Sequence, residues 1–496
     1  MRCEDVSHET LKAQDPDGRL FNEDLAPALP EQREWSTYSL FSLWMNDAHN
    51  ASNYTFAAGL FIGTGAILGM TPLAIVIGIL IATVIIFGAC CISGFMGYET
   101  GAPYPVVSRV TWGVWGANFP AMVRGIVAIA WYGIQTYLAS IALELIIARF
   151  VPGFLSMGGE FLGLRASGWI AFLVLSGIQL IIVWRGMEAV RHFQGWAGPI
   201  IWVVMIGLGA WMLYQADWHF AWTVNAAGET PEAGTQFYQI MVAVGLTVGT
   251  LATLMLNFAD FARYAPNKKA VVVGNVLGLP LNWTAFAITS VLCSATALTV
   301  YGKAFEDPGD LLERIENDPV FFVVSLAFVA ATVGVNIVAN FVSAAFDLAN
   351  LNPKKISFRI GGLVAVIASI VVTPWNLYGS PAAITYFLGS LGALLGPFFG
   401  ILVLDYYYYK RSRVDLKALY SPENSGRYYY TKGWNMNAVI AFIPSAVIAL
   451  CIALLPVAPL QAIAPFSWFV AAPLGALCYF IVMSVRKPAD IVKANA

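Results

Sequence analysis

The chain has 496 residues, 58% of them apolar and 11% charged, with a formal net charge of −2 and a mean hydropathy of +0.69. That balance lies far from a soluble domain and marks an integral membrane protein, with no basic surface for nucleic acid. Six cysteines are scattered, mostly inside apolar runs, with neither metal-ligand spacing nor a secreted disulfide framework, and read as small core residues.

Residues 1–36 are polar and lack the apolar core of a cleavable signal, so the first span is expected to serve as its own insertion signal. Twelve apolar runs come after them that can cross about 30 Å of hydrocarbon. They lie near 38–64, 71–97, 119–150, 167–184, 193–214, 237–262, 270–300, 319–349, 357–375, 382–408, 435–456 and 463–485, and are numbered segments 1 to 12. With a cytoplasmic N-terminus, 23 of the 27 basic residues fall inside, the bias expected of a correct even-numbered topology. The expected organisation is a cytoplasmic tail (1–36), a first five-helix unit (37–214), a second with its preceding loop (215–410), a cytoplasmic loop (411–434), segments 11 and 12 (435–485) and a cytoplasmic C-terminal tail (486–496).

Segment 1 contains Asn46 to Asn53 (NDAHNASN), an acid, a histidine and three asparagines between apolar flanks. Unsatisfied polar groups in hydrocarbon cost several kcal/mol each, on the order given for such burial, so the spacing predicts an interrupted helix whose gap helps form a binding site. Segment 3 is long enough to tilt and carries Trp131 and Gln135 one turn apart. An indole stacks on a flat ring while an amide reads its edge. In segment 6 the stretch Gly245 to Thr250 predicts a second interruption, at the place corresponding to that in segment 1. Such a pair points to an inverted-repeat transporter with its site at the midplane, and Thr250 is counted on the substrate side. Asp260, close to Arg263, reads as a salt bridge at the cytoplasmic end.

Segment 8 begins with Asn317-Asp318-Pro319, an N-cap followed by proline in the first turn. On a regular helix its Asn336, Asn340 and Asp347 fall within about 40° of one another. Two amides on that stripe suit a ring carbonyl and N–H, and the acid suits a proton. The tyrosine runs at 406–409 and 428–430 mark the cytoplasmic interface. No HExxH, P-loop or GxSxG pattern and no ligand cluster is present. The expectation is therefore a transporter and not an enzyme, with no resident cofactor or metal and no ATP-driven pump.

Several stretches together resemble one family: WYGIQTY around Trp131, LMLNFADFARYA ending segment 6, NIVANFVSAAFDL in segment 8, and GSLGALLGPFFGILVLDYYYYKR followed by DLKALY. In this order they are similar to nucleobase–cation symporter family 1, whose members carry uracil, cytosine, purines, allantoin and hydantoins. The resemblance runs from Trp35 onward. It implies an all-α fold of twelve transmembrane helices: two inverted five-helix repeats plus two C-terminal helices, with helices 1 and 6 interrupted. Segments 1, 2, 6 and 7 would move against the rest in alternating access. By position, Trp131 resembles the stacking tryptophan, Gln135 and Asn340 the hydrogen-bonding amides, and Asn50 a ligand-side glutamine.

Two departures stand out. Leu251 replaces a second stacking tryptophan, leaving Tyr386 or Phe387 of segment 10 for the other ring face. Gly334 and Val335 stand where a sodium-dependent relative has serine and threonine, leaving only backbone carbonyls near Asn46, His49 and Ala331 for a hard cation. Asp347, with Asp47 and His49 facing it across the bundle, is the titratable alternative. The expected protein is a plasma-membrane symporter of a planar imide-bearing heterocycle, uracil or another nucleobase first and allantoin or hydantoin next, coupled to protons in preference to sodium. Sodium coupling, a passive facilitator and a transporter-like sensor are the alternatives.

Overall fold

A computed structural model of the protein describes residues 7–63, 69–221, 233–305, 308–379 and 381–486. Among these, secondary structure is helical apart from a hairpin pairing Glu160–Phe161 with Leu164–Arg165 and an isolated bridge between Thr431 and Trp434. Nine helices among the described residues are long and apolar enough to cross a bilayer. They coincide with segments 2–5, 7, 8 and 10–12 to within several residues. Segment 9 is a shorter apolar helix, Phe358–Val371, and segments 1 and 6 are each divided.

Segment 1 forms Thr37–Ala48 and Ala51–Ile62. Segment 6 forms Ala233–Thr250, Ala252–Asn257 and Ala259–Ala262. The second interruption therefore lies at Leu251, not within Gly245 to Thr250, which is helical. Gly245 serves close packing instead: a Cβ there would sit 2.4 Å from the Pro465 carbonyl oxygen, and small residues are the usual means by which membrane helices approach. The same device joins segments 10 and 12, since a Cβ on Gly400 would lie 1.9 Å from the Ala472 oxygen. In segment 8 the Asn317 side chain accepts from Val320 N at 3.1 Å, capping Asp318–Val335 as its sequence predicts.

The polar N-terminal tail is folded against the helices. Leu11, Leu20 and Leu25 are buried, and Asp15 accepts from the Leu20 and Phe21 amides at 2.6 and 2.9 Å. Buried Arg109 donates to the carbonyls of Leu20 and Leu419, both at 2.9 Å, and to Asn350 Oδ1 at 2.6 Å. One guanidinium thus ties together the tail, the connection between segments 2 and 3, the end of segment 8 and the loop after segment 10. Residues 1–6, much of the loop preceding segment 6 and the C-terminal tail after 486 lie outside the described residues.

Candidate functional site

The break in segment 1 falls at His49 and Asn50, where the backbone leaves the helical region. Helix ends expose backbone donors and acceptors that need partners, and two asparagines supply them. Asn50 Oδ1 accepts from Asn53 N at 3.1 Å, and its Nδ2 donates to the Asp47 carbonyl at 2.5 Å. Asn53 Nδ2 donates to the carbonyls of Asp47 and Ala48 at 2.7 and 3.1 Å. The Asn50 amide, which its position in the sequence assigns to substrate, is thus engaged on both sides in capping the two half-helices. Asn53, to which the sequence assigns no role, closes the same gap. The Ala51 amide completes it by donating to Thr332 Oγ1 of segment 8 at 3.2 Å.

The remaining side chains of the break diverge. Asn46 Nδ2 donates to the carbonyls of Ser42 and Gln194 at 2.8 and 3.2 Å, while its Oδ1 is buried without a partner. That oxygen fills the space beside Gly334, where a Cβ would come within 2.4 Å of it. Ala331 and Val335 of the same helix are buried. Asp47 lies beside Trp283 and His49 beside Phe286, both on segment 7, and not toward Asp347 as the sequence suggests. The His49 ring meets Phe286 edge-on at 5.7 Å, and Tyr54 packs on Phe286 at 5.4 Å. Both His49 ring nitrogens and the Tyr54 hydroxyl are buried without hydrogen-bond partners.

Asn336 and Asn340 lie in a π-helical turn, Asn336–Val342, inside segment 8, a local widening often found at functional sites. The wider turn rotates the helix beyond it, so the single stripe expected of a regular helix is divided. Asn336 Nδ2 is within hydrogen-bond distance of the Tyr132 carbonyl, Thr136 Oγ1 and Gln179 Oε1, at 3.0, 2.8 and 2.7 Å. Its Oδ1 accepts from Asn340 Nδ2 at 2.9 Å. Asn336 is therefore wholly engaged in protein contacts, which departs from the substrate contact expected of it. Gln135, on the helix that supplies Tyr132 and Thr136, keeps a buried Oε1 with no partner. Trp131 is half-buried, and its ring meets Phe387 edge-on at 5.5 Å. Tyr386 is 55% exposed. The Thr250 hydroxyl donates back to the Thr247 carbonyl at 2.9 Å, and Leu251 beside it is buried.

Asp347 is not a lone acid. Its Oδ2 lies 2.8 Å from Arg124 Nη1, with both side chains at 0% exposure. Asp260 of segment 6 is within electrostatic reach of both groups. It accepts from the Tyr104 amide at 2.7 Å and from Asn257 Nδ2 at 2.8 Å, and Asn257 also donates to Ser343 Oγ of segment 8 at 2.9 Å. The salt bridge expected between Asp260 and Arg263 does not form. Arg263 turns to the carbonyls of Asp24 and Ala26 in the N-terminal tail. Arg124 and Gln179 are the residues that sequence reasoning misses. The available signal is a charge or amide inside an apolar run, but the charge bias assigns Arg124 to a cytoplasmic stretch.

A family model described as a permease for cytosine/purines, uracil, thiamine and allantoin matches residues 27–481. An allantoin permease of Bacillus subtilis (strain 168) is 34% identical over 482 residues, 97% of this chain and 96% of its own length. A putative allantoin permease of Escherichia coli (strain K12) is 29% identical over 437 residues, 87% of this chain and 88% of its own. Among solved structures, Mhp1, a nucleobase-cation-symport-1 family transporter in a closed conformation with bromovinylhydantoin bound, shares the fold. The TM-score is 0.76 at 18% identity, over 95% of this chain and 97% of that one.

Proposed function

The chain belongs to the family of permeases for cytosine and purines, uracil, thiamine and allantoin, and from that membership we propose a secondary active symporter that imports a planar, imide-bearing heterocycle. The supporting observation is the grouping on segments 3 and 8. Trp131 offers a ring face, Gln135 an unpartnered amide oxygen and Asn340 an amide held by Asn336. Phe387 lies edge-on to Trp131, which supports reading it as the second aromatic beside the heterocycle. The names of the two relatives above move allantoin ahead of uracil as the first compound to test. The same reading includes twelve spans, two inverted five-helix repeats with two further helices, a plasma-membrane location and cytoplasmic termini.

Proton coupling is the favoured reading. Gly334 and Val335 offer no side-chain oxygen to a sodium ion, and the space beside Gly334 is filled by Asn46. Asp347 pairs with Arg124, and Asp260 lies within electrostatic reach of both Arg124 and Arg263. A buried carboxylate is the kind of group that can take up and release a proton within a protein, and in this reading Asp347, paired with Arg124, is the one that does so. The test is uptake of labelled allantoin and uracil into proteoliposomes, with sodium replaced by choline and, separately, with a protonophore added. Accumulation that persists without sodium and collapses with the protonophore is expected. Uptake abolished by sodium removal and indifferent to the protonophore would overturn proton coupling, and equilibration without accumulation would replace the symporter by a facilitator.

A further inference from the structure

Amide oxygen and nitrogen are distinguished by their hydrogen-bond partners, and around Asn340 a chain of partners reaches back to two groups that can only accept. On segment 4, Gln179 Nε2 donates to the Leu175 carbonyl at 3.2 Å, so its Oε1 is the acceptor facing Asn336. On segment 3, the Thr136 hydroxyl spends its hydrogen on the Tyr132 carbonyl at 2.8 Å and can only accept from Gln179 Nε2 and Asn336 Nδ2, at 3.2 and 2.8 Å. The Tyr132 carbonyl also accepts from Asn336 Nδ2. Asn336 therefore turns its nitrogen to segments 3 and 4 and its oxygen to Asn340, whose Nδ2 donates to it. Gln179, Thr136 and Asn336 are all buried, at 0 to 1% exposure.

Reversing any member would set carbonyl against carbonyl in a site closed to water, where an unmet polar group is costly. Among the described residues no protein group donates to Asn340 Oδ1. We propose that Gln179, Thr136 and Asn336 are positioning residues that hold the Asn340 amide with its carbonyl free, so that the protein selects a heterocycle presenting a ring N–H at that point and rejects one presenting a ring oxygen. This rests on the substrate site proposed above and adds the polarity of one of its edges.

The test compares ligands in purified protein by competition against labelled allantoin or uracil. Hydantoin is set against oxazolidine-2,4-dione, in which oxygen replaces one N–H without added bulk, and against 3-methylhydantoin, in which the other N–H is blocked. In the wild type at least one analogue is expected to bind at least about tenfold more weakly than hydantoin, the factor set by a hydrogen bond exchanged for a buried mismatch. In Asn336→Leu the Asn340 amide is free to turn, and that ratio is expected to fall below about threefold. Gln179→Leu combined with Thr136→Val leaves Asn336 with one backbone acceptor, and its ratio should fall between the two, which keeps the proposal testable if Asn336→Leu does not fold. Parallel weakening of all three ligands, with the ratio unchanged in the Asn336 and Gln179/Thr136 variants, would mean a merely structural role and overturn the proposal. Equal binding of hydantoin and both analogues by the wild type would overturn the polarity alone. A wild type that binds none of allantoin, uracil and hydantoin would overturn the substrate reading as well.

Discussion

The guanidinium of Arg124 and the carboxylate of Asp347 lie 2.8 Å apart with neither side chain open to solvent, and this contact joins segments 3 and 8. Removing one partner of a buried pair leaves an uncompensated charge, worth about 3–5 kcal/mol. Arg124→Gln leaves Asp347 and Asp260 without their shared cation, whereas Asp347→Asn leaves Arg124 with Asp260 still in reach. Arg124→Gln is therefore expected to lower the melting temperature in detergent more than Asp347→Asn does. Combining the two should recover part of the loss. Equal effects of the single variants, or a double variant as unstable as their sum, would show that the charges are not coupled.

Asn46 and Gly334 compete for one volume. A serine at 334 would restore a helix 8 hydroxyl, but its Cβ would meet Asn46 Oδ1 at 2.4 Å. Overpacking of this kind costs about 1–3 kcal/mol. Gly334→Ser should reduce both stability and uptake, and Asn46→Ala in the same chain should restore stability to within about 1 kcal/mol. Thermal-shift measurement of the four proteins checks this, and additivity of the two changes would contradict it.

Asn50 and Asn53 hold the two halves of segment 1 together, and their substitutions should rank by the hydrogen bonds each removes. Asn50→Ala removes an N-cap worth about 1 kcal/mol and one of the two donors to the Asp47 carbonyl. Asn50→Ser keeps an N-cap acceptor for Asn53 N but loses that donor, so it should fall between the wild type and Asn50→Ala in melting temperature. Asn53→Ala should resemble Asn50→Ala, because Asn53 serves two carbonyls. A melting temperature unchanged in Asn50→Ala would show that the break is held elsewhere.

For Trp131 and Phe387 the expected effects differ in kind. Trp131→Ala removes the stacking surface and should raise the half-saturating substrate concentration at least tenfold, on the order of 1.4 kcal/mol or more. Phe387 touches the tryptophan edge, and aromatic pairs contribute about 0.5–1.5 kcal/mol. Phe387→Ala should therefore give a smaller change than Trp131→Ala, and little further loss when added to it. Initial-rate uptake over a concentration series distinguishes these, and a Phe387→Ala effect that simply adds to that of Trp131→Ala would mean an independent contact with substrate.

Hydrophobicity and length along the chain determined the membrane class, the location of the nine spanning helices among the described residues and the break at NDAHNASN, because these depend on what hydrocarbon tolerates one segment at a time. The same holds for the Asn317 cap, which the local residues Asn317-Asp318-Pro319 carry by themselves. Tertiary structure decided what each polar group does. Asn50 and Asn336 turn out to bind the protein, Asp47 and His49 face segment 7, and Asp347 meets an arginine 223 positions away. The second break moved to Leu251 and the segment 8 stripe divided at a π turn. Those outcomes rest on helix rotation and on which neighbour comes within hydrogen-bond distance, and a one-dimensional pattern carries neither. The polarity of Asn340 is the clearest case. Its sequence shows an amide in an apolar helix, and only the carbonyls of Leu175 and Tyr132, reached through three intervening side chains on segments 3, 4 and 8, decide which of its two ends is left free.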